Sequence, residues 1–158
     1  MTDARTYQRS LPRKRMGAGA LFRDENGRFL LVNPTYKPTW EIPGGVIEAN
    51  ESPRQACIRE IIEELGFTCQ PHQLLCVDYL SDQPDKTEAI MFVFDGGCLS
   101  QEAIAHIQLP ADELSDYRFC TLPEALVLLN PRLGRRVALC QQALTENRTI
   151  YAEDQPPV

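Results

Sequence analysis

Residues 45–67, GVIEANESPRQACIREIIEELGF, constrain the fold of this chain more than any other stretch. Glu60, Glu63 and Glu64 fall within five residues, behind a Gly-Gly turn and on a predicted helix. Ser52 reads as the N-cap and Pro53 as the first helical residue, while Gln55 completes a capping box with Ser52. Gly66 reads as the terminator. Between these ends Ile58, Ile61, Ile62 and Leu65 recur at helical spacing and predict a core-facing stripe. At roughly 100° per residue the three glutamates fall on the other side, with Arg59 one turn ahead of Glu63. The helix therefore buries one face and presents carboxylates on the opposite one.

Carboxylates this close repel one another unless a cation lies between them. A hard divalent ion, Mg²⁺ or Mn²⁺, suits oxygen ligands best. A plain solvated acidic face is the competing reading. Two features argue against it. Pro43-Gly44-Gly45 predicts a tight turn where backbone approaches a ligand closely. Glu48 and Glu51 add two more carboxylates in the loop between that turn and the helix, so five glutamates converge on one turn and one helix.

The segment resembles the signature box of the Nudix (MutT-like) hydrolase family, G-x5-E-x7-R-E-U-x-E-E-x-G-U, where U is bulky and aliphatic. Gly45, Glu51, Arg59-Glu60-Ile61, Glu63-Glu64 and Gly66 match its fixed letters. Phe67 departs from it, being aromatic where the family has an aliphatic residue. Asn50 stands where many members have a second glycine, and asparagine tolerates a left-handed conformation. The lead-in Trp40-Glu41-Ile42-Pro43-Gly44-Gly45 also looks like the family's.

The resemblance implies an α/β fold: a single-domain α/β/α sandwich around a mixed β-sheet. It implies a pyrophosphohydrolase dependent on Mg²⁺ or Mn²⁺, acting on a nucleoside diphosphate linked to another group (NDP-X). By the same carry-over, Glu60 and Glu64 are catalytic metal ligands, Glu63 is a further ligand or a water-mediated one, and the Gly44 carbonyl ligates as the corresponding Gly does in some members. Gly45, Glu51, Arg59 and Gly66 are structural, with Glu51 and Arg59 tying the loop to the helix. The general base varies within the family and lies in the box or outside it. The chemistry suits these residue types. A diphosphate repels nucleophiles by its charge, and the remedy is charge neutralisation and positioning rather than a Ser/His/Asp set. His72 and His106, the two histidines, are expected to be surface or loop residues.

At 158 residues the chain fits one domain. Its 43% hydrophobic content is that of a globular chain. No apolar run is long enough to span a bilayer, and the N-terminus is polar, so a cytoplasmic protein without a membrane partner is expected. A net charge of −6 argues against a nucleic-acid surface. The expected partner is a small-molecule nucleotide, and the resemblance leaves a homodimer open. The six cysteines form no CxxC pair and mostly have apolar neighbours, which predicts buried thiols rather than zinc ligands or a disulfide framework. Cys57, one turn before Glu60, reads as lying on the carboxylate side, where oxidation would disturb the site.

Residues 1–15 read as a polar tail, with the Arg13-Lys14-Arg15 run offering phosphate steering as an alternative. The domain is expected over 16–150. Strands are predicted at 17–23 and 28–33 around an Asp24-Glu25-Asn26-Gly27 turn, at 73–80 and 88–95, and at 116–120. Residues 96–115 carry no clear pattern. Helices follow at 123–129 and from Pro131, capped by Asn130, to Glu146. Residues 151–158 read as a C-terminal tail.

Outside the box, many Nudix enzymes place a further catalytic or metal-binding Glu just ahead of a strand, and by that resemblance Glu113 is the candidate fourth catalytic carboxylate, with an exposed acidic loop residue as the competing role. Tyr36, Trp40 and Tyr79 are candidates for stacking on a base, with core packing as the competing role. ADP-ribose or an NDP-sugar is the favoured substrate. The near match of Pro84 to a proline of ADP-ribose hydrolases supports that ranking. A nucleotide-pool sanitising NTP pyrophosphatase, an isoprenoid diphosphate isomerase and a non-hydrolytic regulatory module are the alternatives. The isomerases use an additional Cys and Glu in a larger chain, and regulatory modules often have eroded boxes, whereas every carboxylate is present here.

Overall fold

The computed structural model describes residues 3–154. In chain order the elements are α1 (Ala4–Ser10), β1 (Arg15–Arg23), β2 (Phe29–Pro34), β3 (Gly44–Val46), α2 (Pro53–Leu65), β4 (Leu74–Leu80), β5 (Ala89–Cys98), α3 (Gln101–Ala105), β6 (Leu114–Cys120), α4 (Leu122–Leu128), α5 (Pro131–Glu146) and β7 (Ile150–Glu153). The strands form one seven-stranded sheet in the order β6-β2-β1-β5-β4-β7, with β3 pairing on β1. The sheet is mixed. β1 runs parallel to β5 and β4 parallel to β7, and the other pairings are antiparallel.

Alternation along the strands divides the core in two. Ala18, Ala20 and Phe22 of β1 and Leu30 and Val32 of β2 pack with Ala56, Cys57, Ile61 and Leu65 of α2. Leu21, Phe29 and Leu31 point the other way, against Ala125 of α4 and Leu133, Val137, Cys140 and Ala143 of α5. The result is an α/β/α sandwich whose two helical layers bury opposite faces of one sheet. No helix among the described residues is long and apolar enough to cross a membrane.

Several elements differ from their sequence-based expectation. Within residues 1–15, an exposed helix occupies Ala4–Ser10 and β1 begins at Arg15; residues 1 and 2 lie outside the described residues. Gly44 and Gly45, expected with Pro43 in a tight turn, instead form β3 with Val46, pairing Gly44 with Gly19 and Val46 with Gly17. The unpatterned stretch 96–115 holds the end of β5 and the short helix α3, capped by Ser100 Oγ accepting from Ala103 N at 3.2 Å. Of the expected C-terminal tail, 151–153 lie in β7, which pairs residue by residue with Cys76–Tyr79; 155–158 lie outside the described residues. A strand of four residues in which only Ile150 is buried gives no local alternation to detect.

The buried stripe of α2 also shifts. Ala56, Cys57, Ile61 and Leu65 are buried, whereas Ile62 is 45% exposed and Ile58 only half-buried. Cys57 therefore lies in the core, not on the carboxylate side, and burial pushes its thiol up to about 12. A thiol held neutral and packed among apolar groups is a poor target for oxidation.

Candidate active site

The α2 helix is built at both ends by the chemistry its sequence offers. Ser52 Oγ accepts from Gln55 N at 3.2 Å, and Gln55 Oε1 accepts from Ser52 N at 3.0 Å. Gly66 closes the helix at φ 78°, its N–H donating to Ile62 O at 3.1 Å. Asn50 takes φ 64°, the left-handed turn expected of it.

Arg59 joins the preceding loop to this helix. Its Nε and Nη2 donate to the two carboxylate oxygens of Glu51 at 2.9 and 3.0 Å, and Nη2 also reaches Val46 O at 3.0 Å. Nη1 donates to Glu60 Oε1 at 2.6 Å and to Glu63 Oε2 at 3.2 Å. Glu51 also accepts from Glu48 N at 3.0 Å. The Arg59 guanidinium, helped by that N–H, holds the Glu51 carboxyl below the usual range. Such bidentate, charge-assisted pairing fixes geometry as well as energy.

Two glycines let the carboxylates approach the backbone. At Gly45 a Cβ would stand 2.4 Å from Glu60 Oε1. Gly44 has φ 147°, and a Cβ there would meet Gly19 Cα at 2.4 Å, so only glycine fits. The freed space lets Gly44 N donate to Glu64 Oε2 at 2.8 Å. Burial raises the Glu64 carboxyl to about 8 against the Gly44 N–H, and the charges of Glu60, Glu41 and Glu113 push the same way. Burial also raises Glu60, opposed by Arg59.

Glu64 and Glu60 thus lie directly behind Gly44 and Gly45, and the charges of Glu41 and Glu113 act on Glu64 as well. Among the described residues, however, no three acidic, His or Cys side chains converge tightly enough to enclose an ion. The local reason is visible. Glu64 turns to the Gly44 amide, while Glu60 and the exposed Glu63 turn to Arg59, so each repelling carboxylate has a donor. The donor set still fits a hard dication. It is all oxygen, it is anionic, and at Glu64 and Glu60 the charge is partly withdrawn from water. Glu60, Glu63 and Glu64, with the Gly44 carbonyl, are the residues that would hold it.

Gly44 and Gly45 open into a cleft of about 380 Å³, also lined by Arg15, Tyr36, Lys37, Glu41, Lys86 and Arg132. Of the aromatic candidates only Tyr36 lines it, 72% exposed beside Lys37. Trp40 is instead a core residue, 9% exposed and covered by the Arg118 guanidinium. Its backbone is held there, since Trp40 N donates to Leu128 O at 3.1 Å. Tyr79 lies away from the cleft, its hydroxyl donating to Glu88 Oε2 at 2.8 Å. Glu113 is exposed at the start of β6, with its carbonyl accepting from Thr35 N at 2.9 Å. Glu41, legible in the sequence only as part of the lead-in, lines the cleft. It pairs with Lys37 and is fixed by mutual backbone bonds with Val32. Its position directly before Ile42-Pro43-Gly44-Gly45 was the available signal.

Comparison with known proteins agrees with this geometry. The family model for the NUDIX domain matches residues 13–140. Phosphatase NudJ of Escherichia coli O1:K1 / APEC is 32% identical over 109 residues, covering 67% of this chain and 68% of NudJ. A protein of Bacillus subtilis (strain 168) named as a putative ADP-ribose pyrophosphatase, YjhB, is 39% identical over 59 residues, 37% of this chain and 27% of its own. The chain spans about a third of the length of several curated relatives that it matches over such short stretches. The crystal structure of a MutT protein from Methanosarcina mazei Go1 superposes with a TM-score of 0.68 at 26% identity, over 89% of this chain and all of that one. Nudix hydrolases generally use divalent metal ions, which the oxygen-rich set behind Gly44 and Gly45 suits. With its box intact and the family model covering most of its length, the chain belongs to the Nudix hydrolase family.

Proposed function

We propose that this chain is a pyrophosphohydrolase that cleaves the diphosphate of an NDP-X compound with Mg²⁺ or Mn²⁺, and that ADP-ribose or an NDP-sugar is its substrate. The observation that carries the reading is the placement of Glu60 and Glu64 directly behind Gly44 and Gly45, the two glycines that line an open cleft together with Glu41. The partial match to YjhB favours ADP-ribose among the candidates. The buried thiols Cys57, Cys76, Cys120 and Cys140 suit a cytoplasmic setting.

The protein's part in the reaction is positioning. Gly44 and Gly45 bring the backbone close enough for a diphosphate to approach Glu60 and Glu64. The Arg59 pairings hold Glu60 and the loop in register while substrate binds. A divalent ion held by these glutamates would supply charge neutralisation of the diphosphate and a more acidic water. Glu113, whose charge already reaches Glu64, takes the proton of the attacking water. Tyr36 offers an exposed ring at the cleft for stacking on a base.

The test is a panel of NDP-sugars, dinucleotides and NTPs with Mg²⁺ and with Mn²⁺, run in ¹⁸O-labelled water with products identified by mass. A nucleoside monophosphate plus a phosphorylated second moiety is expected, with label on one phosphorus product. Label on a sugar carbon, or pyrophosphate release from NTPs as the only activity, overturns the reading.

A further inference from the structure

Away from Gly44 and Gly45 the lining of the cleft is basic. Five cationic side chains line the cavity: Arg15, Lys37, Lys86, Arg132 and Arg136. Three are matched by carboxylates. Lys37 pairs with Glu41, Arg132 with Asp154 at 2.9 Å, and Arg136 with the fully buried Asp78 at 2.9 Å. Arg15 and Lys86 have no carboxylate at ion-pair distance among the described residues.

The Arg15 side chain and the Lys86 backbone are both held by neighbouring residues. Arg15 Nε donates to Thr87 Oγ1 at 3.0 Å and Nη2 to Thr87 O at 2.7 Å, which anchors the guanidinium and leaves Nη1 without a protein partner among the described residues. Lys86 stands at the end of a turn closed by Gln83 N to Lys86 O at 2.8 Å and Lys86 N to Gln83 O at 3.2 Å. Strand alternation selects between the adjacent cations of the basic run. Lys14 faces away, bonded to Glu88 at 2.6 Å over the Tyr79 ring, and Arg15 faces the cleft.

The separation of the two ends decides what the cations are for. Gly19 is the register partner of Gly44, and Arg15 lies four residues earlier on the same strand. At 3.2–3.4 Å per residue, the Arg15 backbone is about 13 Å from the acidic end. A diphosphate held at Gly44 is much shorter than that. Arg15 is anchored without a counterion and Lys86 lines the same cleft unpaired, so an anion bound there would be attracted by both charges.

We propose that Arg15 and Lys86 bind an anionic group on the part of the substrate remote from the scissile diphosphate. Among NDP-X compounds the chain then selects an X that carries a phosphate or carboxylate. The inference rests on the NDP-X reading and narrows it. It also gives the cleft a polarity that orients the substrate, diphosphate toward the glutamates and outer anion toward Arg15.

Two matched pairs test it: UDP-glucose against UDP-glucuronate, and ADP-ribose against ADP-ribose 1″-phosphate. In the unmodified protein the charged member of each pair should have a kcat/KM about tenfold higher. That ratio should fall toward one in Arg15→Gln and in Lys86→Gln, and largely survive in Arg15→Lys. Arg5→Gln, in the exposed N-terminal helix, serves as a charge control and should keep the ratio. Lys86 is exposed in a loop, so its variant reports even if Arg15→Gln fails to fold. Cleavage of the neutral members without preference for the charged ones, or a ratio unmoved by both Gln variants, overturns the assignment and leaves the NDP-X reading standing. Cleavage of none of the four, under conditions where NTPs are hydrolysed, overturns both.

Discussion

The two ends of the cleft are built on different principles. At the acidic end the partners are close in sequence: Glu51 with Arg59, Arg59 with Glu63, Gly44 with Glu64. One turn and one capped helix assemble nearly all of it. At the basic end Arg15 is held by Thr87, and Arg132 by Asp154. Those contacts exist only when β1, the turn before β5, α5 and the residue after β7 have all found their places. The acidic end can thus be disturbed residue by residue, whereas the basic end depends on the whole sheet. Catalytic geometry held by local contacts and selectivity held by distant ones can vary separately.

The largest effect is expected from Glu64→Gln. It keeps shape and removes charge at the acidic end, and turnover should fall at least ~100-fold, the scale of one lost electrostatic contact to the transition state. In metal-free buffer its melting temperature should be unchanged or higher, because a buried, repelled carboxylate is gone. Wild-type turnover in that variant would remove Glu64 from the site. Gly44→Ala probes the same end through the backbone. With a Cβ 2.4 Å from Gly19 Cα and φ 147°, urea unfolding should show a loss of roughly 1–3 kcal/mol. Unchanged stability would mean that the β1–β3 approach is looser than described.

Glu113→Gln should lower kcat, with little change in KM, if the loop carboxylate assists the attacking water. A neutral result there, with Asp112→Asn or Glu102→Gln crippled, would move the role to another residue. The last effect is one of pH. Burial raises Glu64 from an ordinary 4.5 to about 8, so between those values the folded, metal-free protein holds a proton that the unfolded chain has lost. Stability contributed by this group is therefore present below the unfolded value and is lost as pH rises through the window. Glu51 has the opposite sign. Arg59 depresses it, so its contribution is present above the ordinary range and is lost on acidification. Thermal scans of the metal-free protein across pH should show the first slope, and Glu64→Gln should abolish it.

What could be read from sequence follows the same division. The α2 helix, its Ser52–Gln55 box, its Gly66 stop, the Asn130 cap of α5 and the strand pairs around Gly27 and residues 81–88 are local facts, written in adjacent residues. β7 was not legible, because a four-residue strand is created by its partner β4 rather than by its own pattern. Ile62 was misplaced because helical spacing gives a face only to within a residue or two. Ala56 and Cys57, small and ambiguous by composition, take the buried positions instead. Trp40 was ambiguous for a different reason. A large aromatic beside a binding loop has the same signature whether it meets a base or, as here, the core. The Arg13-Lys14-Arg15 run was visible as a candidate for phosphate steering, but which of its members faces the cleft, and that Glu41 and Lys86 line it too, was hidden because nothing in their neighbours' identities reveals what faces them.

The late position of β7 has a consequence for how this chain is made. During synthesis β4 emerges and pairs with β5 on one side while its other edge has no strand to meet. That edge carries Asp78, which ends fully buried between Arg135 and Arg136 of α5. Until α5 and β7 leave the ribosome, a nascent chain should expose an open strand edge with an unneutralised aspartate in it. A charged residue in an open edge strand disfavours pairing with a neighbouring chain. Replacing Asp78 with an apolar residue would then reduce the yield of soluble protein during expression.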